Sequence, residues 1–272
     1  MLGHSSHELS RLAQQGAFFA DITRRALRRA GVRHGMRVLD VGCGAGDVSL
    51  LAAELVGARG HVLGIDRVSA AVRAATRRAA QAGWRNVTCR VAHVDTLALD
   101  APVDAVIGRF VLMHQARPAA ALVKAVEHLR PGGVVAIIES HMRGAVRAVH
   151  SWPRSATYDQ LMRWMIAVID ASGAHSGMGL RLRDTFLAAG LPEPSLAMEA
   201  RVEGGPDAPI LQYTIDSVRS LLPAADRAGI TSIRASELPG LEARLRDEAA
   251  SNGTVLTSPL IVSACCRLPG RS

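Results

Sequence analysis

Lysine is almost absent: Lys124 is the only one among 32 basic residues, and the others are arginine. Aromatic side chains are scarce too, with four Phe, three Trp and two Tyr in 272 residues, which leaves few rings to stack on nucleic-acid bases. The four cysteines, Cys43, Cys89, Cys265 and Cys266, form no CxxC and no Cys/His ligand spacing. No metal site and no disulfide framework are therefore expected, and a reducing cytoplasm suits the chain. Nowhere do about 18 uncharged apolar residues follow one another, since Lys124, Glu127 and Arg130 interrupt the richest region, so no membrane association is expected. Met1 to Gln15 mixes His4, Glu8 and Arg11 among polar residues and lacks the apolar segment of a signal peptide.

What is present is core-forming material. Hydrophobic residues make up 49%, charged residues 21%, and mean hydropathy is +0.16, enough for one sizeable core or two modest ones. The net charge of +8 and a pI near 10.5 invite a nucleic-acid partner. Richness in Ala, Arg, Val and Gly beside so little Lys points instead to the coding bias of a GC-rich bacterial genome.

From Glu8 to Ala30 the apolar residues Leu9, Leu12, Phe19, Ile22, Ala26 and Leu27 recur at helical spacing, with Gly31 placed to end the helix and Arg24, Arg25, Arg28 and Arg29 on a solvated face. Short apolar runs then alternate with Ala-rich amphipathic segments. Strands are expected at 37–41, 61–65, 87–91, 103–107 and 134–138, and helices at 47–56, 69–82 and 118–129. That rhythm means βαβ crossovers and a parallel sheet buried on both faces. After Glu139 it changes: 141–176 reads as loop plus a helix over about 155–172, followed by a helix at 180–189, a strand at 195–202, helical stretches at 214–222 and 241–250, and a last strand at 255–266. The expected organisation is a core of residues 1–140 completed by 177–203 and 253–272, with 141–176 and 204–252 as helical cap insertions that bind substrate over the carboxyl ends of the strands.

The sharpest motif is Val38-Leu39-Asp40-Val41-Gly42-Cys43-Gly44-Ala45-Gly46-Asp47, a buried strand running into alternate glycines and then a helix. Glycines suit a tight turn where a ligand approaches the main chain closely. Asp47 stands where a dinucleotide fingerprint needs its third glycine, and Asp40 and Asp47 would repel a pyrophosphate while welcoming a positive centre. Twenty residues beyond Gly46, the second strand ends in Asp66, where α/β nucleoside binders place an acid that accepts from the ribose hydroxyls. Adenosine joined to a cation satisfies both features.

These residues resemble the class I S-adenosylmethionine-dependent methyltransferases. The resemblance runs from Arg37 to Glu139 through VLDVGCGAGDVSL (38–50), VLGIDRV (62–68), PVDAVIGRFVLMH (102–114) and LRPGGVVAIIE (129–139), in order and at the family's intervals. It implies an α/β fold with a Rossmann-like, seven-stranded, mostly parallel sheet, helices on both faces and helical caps, and S-adenosylmethionine as cofactor. It also implies that Asp40, Gly42, Cys43, Gly44 and Gly46 meet the methionine part and Asp66 the ribose, with Arg67 beside the adenine and Gly108 and Arg109 beside the sulfonium. Where relatives read Gly-Asp-Ala after strand three, this chain reads Ala92-His93-Val94-Asp95. Either His93 takes the acid's place, with Val94 lining the adenine, or loop geometry brings Asp95 there.

Methyl transfer from a sulfonium is an in-line displacement, so alignment and exclusion of water matter most and a base is optional. His114 and His141 border the expected transfer site as base candidates or as ordinary packing. Glu139 could orient an acceptor amine or hydroxyl, or cap a loop. Trp152, Tyr158 and Trp164 could wall a substrate, or simply pack. Gly108-Arg109-Phe110-Val111 lacks the Pro-Pro-aromatic element that holds a flipped base, and no cysteine follows a proline as cytosine C5 chemistry would require. A nucleic-acid partner is thus not expected, although an RNA-modifying enzyme is kept as an alternative, as is a non-methylating cyclase or binding protein on the same fold. The Arg/Ala-rich chain with its GRFVLMHQ segment is most similar to stand-alone methyltransferases of bacterial secondary metabolism, which implies a small natural-product intermediate as substrate. A homodimer is left open.

Overall fold

The computed structural model describes residues 14–143 and 150–270. By their internal packing these fall into two compact units: residues 14–139, 178–198 and 262–270 form one, and 140–143, 150–177 and 199–261 the other.

The first unit is built on a seven-stranded, mostly parallel sheet. Helix α1 (Ala20–Ala30) leads into β1 (Arg37–Val41), α2 (Asp47–Val56), β2 (His61–Asp66), α3 (Ser69–Gln81), β3 (Val87–Val91), β4 (Val103–Arg109), α4 (Pro118–Val126) and β5 (Leu129–His141). Later in the chain come α6 (Met178–Ala188), β7 (Ser195–Glu199) and β10 (Leu260–Arg267), and the strand order is β3-β2-β1-β4-β5-β10-β7. Strands β1 to β5 pair in parallel, for example Val38 with Val62 on one side and Ala105 on the other. Val38, Leu39, Val106 and Ile107 have no exposed surface, as continuous apolar runs require when both faces of a sheet are covered. Leu27, Ala52, Val56, Val62, Ile107 and Val134 belong to one core cluster. Gly31 ends α1 in a left-handed conformation, donating to the carbonyls of Arg28 and Leu27.

The second unit holds a three-stranded sheet of β6 (Ser151–Trp152), β9 (Val255–Thr257) and β8 (Val202–Gly204), with helices α5 (Ala156–Ala171), α7 (Pro209–Arg227) and α8 (Leu238–Ser251). No helix among the described residues is long and apolar enough to cross a membrane.

Several predicted boundaries move. The last strand, expected over 255–266, is two strands in different sheets, because Pro259 has no N–H to continue a ladder and Ser258 turns the chain, accepting from the Arg201 amide at 3.0 Å. The strand expected over 195–202 likewise divides into β7 and β8, since β8 pairs with β9. Residues 199–203 and 253–261 therefore belong with the helical unit rather than with the core. The helix from 118 stops at Val126, and Leu129 instead opens β5, where the register slips between Val103 and Ala105 to absorb Pro131-Gly132. The helix expected over 8–30 is interrupted at Phe19; Leu9 and Leu12 lie outside the described residues.

Candidate functional site

The carboxyl ends of β1, β2 and β4 and the turn after β3 carry the expected cofactor residues, all in the first unit. Three glycines of the loop after β1 adopt positive φ: Gly42 at 66°, Gly44 at 54° and Gly46 at 87°. Two of these positions also lack room for a side chain. A Cβ on Gly42 would lie 2.7 Å from Val111 Cγ2, and one on Gly46 3.0 Å from Ala75 Cβ and 3.2 Å from its Cα. The Cys43 amide donates to Ile65 O at 2.9 Å, tying the loop to β2.

Asp40 is 1% exposed. Its Oδ2 accepts from Ser49 Oγ at 2.6 Å, while Oδ1 is buried with no hydrogen-bond partner. Burial pushes its carboxyl up to about 7, against the Ser49 hydrogen bond and the Arg109 charge. At the end of β2, Asp66 Oδ2 accepts from the Gly44 amide at 3.0 Å and Oδ1 from the Val68 amide at 2.9 Å, so this acid holds the glycine loop. Arg67 beside it is exposed.

Asp47 opens α2 and forms an ion pair with Arg78 at 2.8 Å; Arg78 also donates to Ala45 O at 2.7 Å. The helix expected at 69–82 carries Arg77 and Arg78 on its predicted exterior, as solvated charges; for Arg78 the structure corrects that. Its signal was the helical spacing from Ala74 and Ala75, both buried, which puts Arg78 on the inner face of α3. Arg109 ends β4, and its Nη1 donates to Thr23 Oγ1 at 2.8 Å. A guanidinium repels a sulfonium, and here its charge instead acts on Asp40 and Asp47.

Past β3, the Asp95 amide donates to His93 Nδ1 at 3.3 Å, and both side chains are exposed. Val94 lies inward: with Val41, Gly108, Val111, Leu112 and Ile137 it lines a small apolar cavity. His93 and Val94 thus sit side by side in one turn, the first exposed and the second partly buried.

Glu139, on β5, is fully buried. Its Oε1 accepts from the amides of Val111 at 2.9 Å and Leu112 at 2.7 Å; Oε2 is buried with no partner, and burial pushes the carboxyl up to about 8. His114 is exposed, in the turn after β4. His141, in the second unit, is buried, with Nδ1 3.2 Å from Gly177 O. A carbonyl can only accept, so Nδ1 is the donor in this contact.

The aromatic wall expected of Trp152, Tyr158 and Trp164 does not form. Tyr158 is wholly buried, donating to Thr257 O at 2.8 Å, and Trp164 is 5% exposed, both on the inner face of α5 with Leu161, Met165 and Val168; Trp152 is 75% exposed on β6. Helical periodicity made packing residues of two of them.

The strand-loop-helix with its left-handed glycines and flanking acids is accompanied by a family match described as a methyltransferase domain, over residues 33–173, more than half of the chain. The chain belongs to the methyltransferase-domain family. Its class I, S-adenosylmethionine-dependent members share this fold and cofactor. The aklanonic acid methyltransferase DauC of Streptomyces sp. strain C5 is 33% identical over 120 residues, 44% of this chain and 54% of that protein. The nocamycin O-methyltransferase of Saccharothrix syringae is 45% identical over 74 residues, 27% of this chain and 26% of that protein. The chain thus matches about half the length of the first and a quarter of the second. Among solved structures, the cyclase SpnF aligns with a TM-score of 0.52 at 20% identity, covering 92% of this chain and 82% of its own. That likeness speaks for the fold alone.

The residues present fit S-adenosylmethionine. A buried carboxylate oxygen without a hydrogen bond, at Asp40, stands beside a loop whose left-handed glycines keep side chains out of the way.

Proposed function

We propose that this methyltransferase moves a methyl group from S-adenosylmethionine to a small-molecule acceptor, a secondary-metabolite intermediate. The observation that carries the reading is Asp40, whose Oδ1 is buried and unpartnered beside the glycine loop. Burial favours the protonated form of such an acid, and a bound cation is what stabilises its ionised form there. The names of the two relatives, each a methyltransferase of a small natural product, support the substrate class.

In this reading Asp40 and the loop of Gly42, Cys43, Gly44 and Gly46 hold the charged amino-acid end, Asp66 the ribose, and Arg67, His93 and Val94 the adenine side, with Gly108 and Arg109 at the end of β4. S-adenosylmethionine supplies the electrophilic methyl group. Val41, Val111, Leu112 and Ile137 keep water from that end of the sheet, so alignment provides most of the acceleration. His141 and His114 are the two base candidates.

Incubation with methyl-labelled S-adenosylmethionine and polyketide, indolic, terpenoid or peptide-derived acceptors tests the proposal, and label in an organic-soluble product is the expected result. Saturable cofactor binding with no product from any acceptor favours a cyclase or binding role. Label in bulk RNA, with binding that weakens steeply as salt rises, favours RNA modification. A second result is expected from Asp40 itself. Because only its ionised form attracts a cation, cofactor affinity should strengthen as pH rises toward about 7 and level off above it. Asp40→Asn should remove the slope. Calorimetric titration between pH 5.5 and 8.5 checks this, and a flat wild-type profile would exclude Asp40 as the counter-charge.

A further inference from the structure

We propose that Glu139 is a positioning residue that sets the turn after β4 and, through Val111, the Gly42 peptide of the cofactor loop. The proposal rests on the cofactor reading above, and it gives Glu139 a role other than contact with the acceptor.

Three consecutive amides of the turn are held by two consecutive residues of β5. The Phe110 amide donates to Ile138 O at 2.9 Å, and those of Val111 and Leu112 both donate to Glu139 Oε1. Between β4 and this clamp, Phe110 takes φ 58°, the one non-glycine residue with positive φ among those described. A bulky residue holds such a conformation only where its surroundings over-determine it. Glu139 supplies that constraint. The turn in turn places the Val111 side chain against Gly42, in the space a Cβ at that position would occupy, and it puts Val111 and Leu112 on the wall of the apolar cavity. The path from Glu139 to the cofactor loop is therefore one side chain, one turn and one packed contact, with no gap between them.

The chemistry explains the residue type. Two neighbouring N–H groups converge on one point in a buried setting, and an unpaired buried donor is costly. A single oxygen with two lone pairs satisfies both at once. A glutamine carbonyl can do the same; an aliphatic side chain of similar size cannot.

The test compares Glu139→Gln, Glu139→Leu and Val111→Ala, with S-adenosylhomocysteine as the binding probe. Glu139→Gln should bind within about threefold of wild type and keep its turnover. Glu139→Leu should lose about tenfold or more in affinity while remaining folded, and Val111→Ala should lose less. The Glu139→Leu/Val111→Ala double variant should be no worse than Glu139→Leu, since both act along one path. An acceptor-contact role would instead show as lost turnover with intact affinity in Glu139→Gln. Hydrogen exchange at the Val111 and Leu112 amides supplies a readout that needs no cofactor: protection should persist in Glu139→Gln and vanish in Glu139→Leu. Equal damage from Gln and Leu, or a folded Glu139→Leu with wild-type affinity and protection, overturns the proposal. If Glu139→Leu does not fold, wild-type affinity in Val111→Ala overturns it. Failure of the wild-type protein to bind S-adenosylhomocysteine would count against the cofactor reading, while the exchange data would still decide the role of Glu139.

Discussion

Gly46→Ala should lower stability by about 2–4 kcal/mol, the sum of left-handed strain and overpacking in the α2–α3 contact. At φ 87° any L-residue is disfavoured, and the new Cβ would meet Ala75 Cβ at 3.0 Å and Cα at 3.2 Å. The second distance is to backbone, so relief requires α3 itself to move. Gly46 also precedes the first residue of α2, so a shift there carries Asp47 and its Arg78 partner with it. Gly83 is the control: its φ is 77°, but no atom lies within 4 Å of a built Cβ, and Gly83→Ala should cost only about 1 kcal/mol. Urea melts of the two variants decide the matter. Equal losses would mean that backbone conformation alone requires glycine at 46, and that the close approach of α3 contributes nothing.

Asp66→Ala should weaken S-adenosylhomocysteine binding by about 10- to 100-fold, as expected for losing hydrogen bonds to a charged acceptor. Its carboxylate has two tasks to lose. The structure shows one, reception of the Gly44 and Val68 amides, and the proposed ribose contact is the other. A 2′-deoxy analogue separates them. Wild type should prefer the ribose form, and Asp66→Ala should bind both forms alike. If the variant still discriminates, Asp66 only shapes the loop and another group reads the ribose.

Much of this was legible because it is local. A glycine with positive φ between a buried strand and a helix follows from backbone sterics, and Asp40, Asp66 and the β1 to β5 order follow from strand ends and short-range periodicity. Arg78 was misplaced because a charged residue on an Ala-rich helix reads as solvated until its partner, Asp47, is known. Glu139 was ambiguous for the same reason: the two amides it accepts lie 27 and 28 residues away. Trp152, Tyr158 and Trp164 share a composition signal but not an environment, since α5 buries one face and β6 leaves Trp152 outside. Residues 195–202 and 255–266 each read as one strand, because nothing local says which sheet a short strand enters.

The basic charge follows the same division. Sequence alone determined the cofactor loop, the acids around it and the parallel core, because each is written in neighbouring residues. Tertiary structure decided which of those acids are buried without a partner, which arginine balances Asp47, and which carboxyl holds the turn after β4. Those outcomes depend on desolvation and on contacts between distant segments, and neither has a value until the chain is packed.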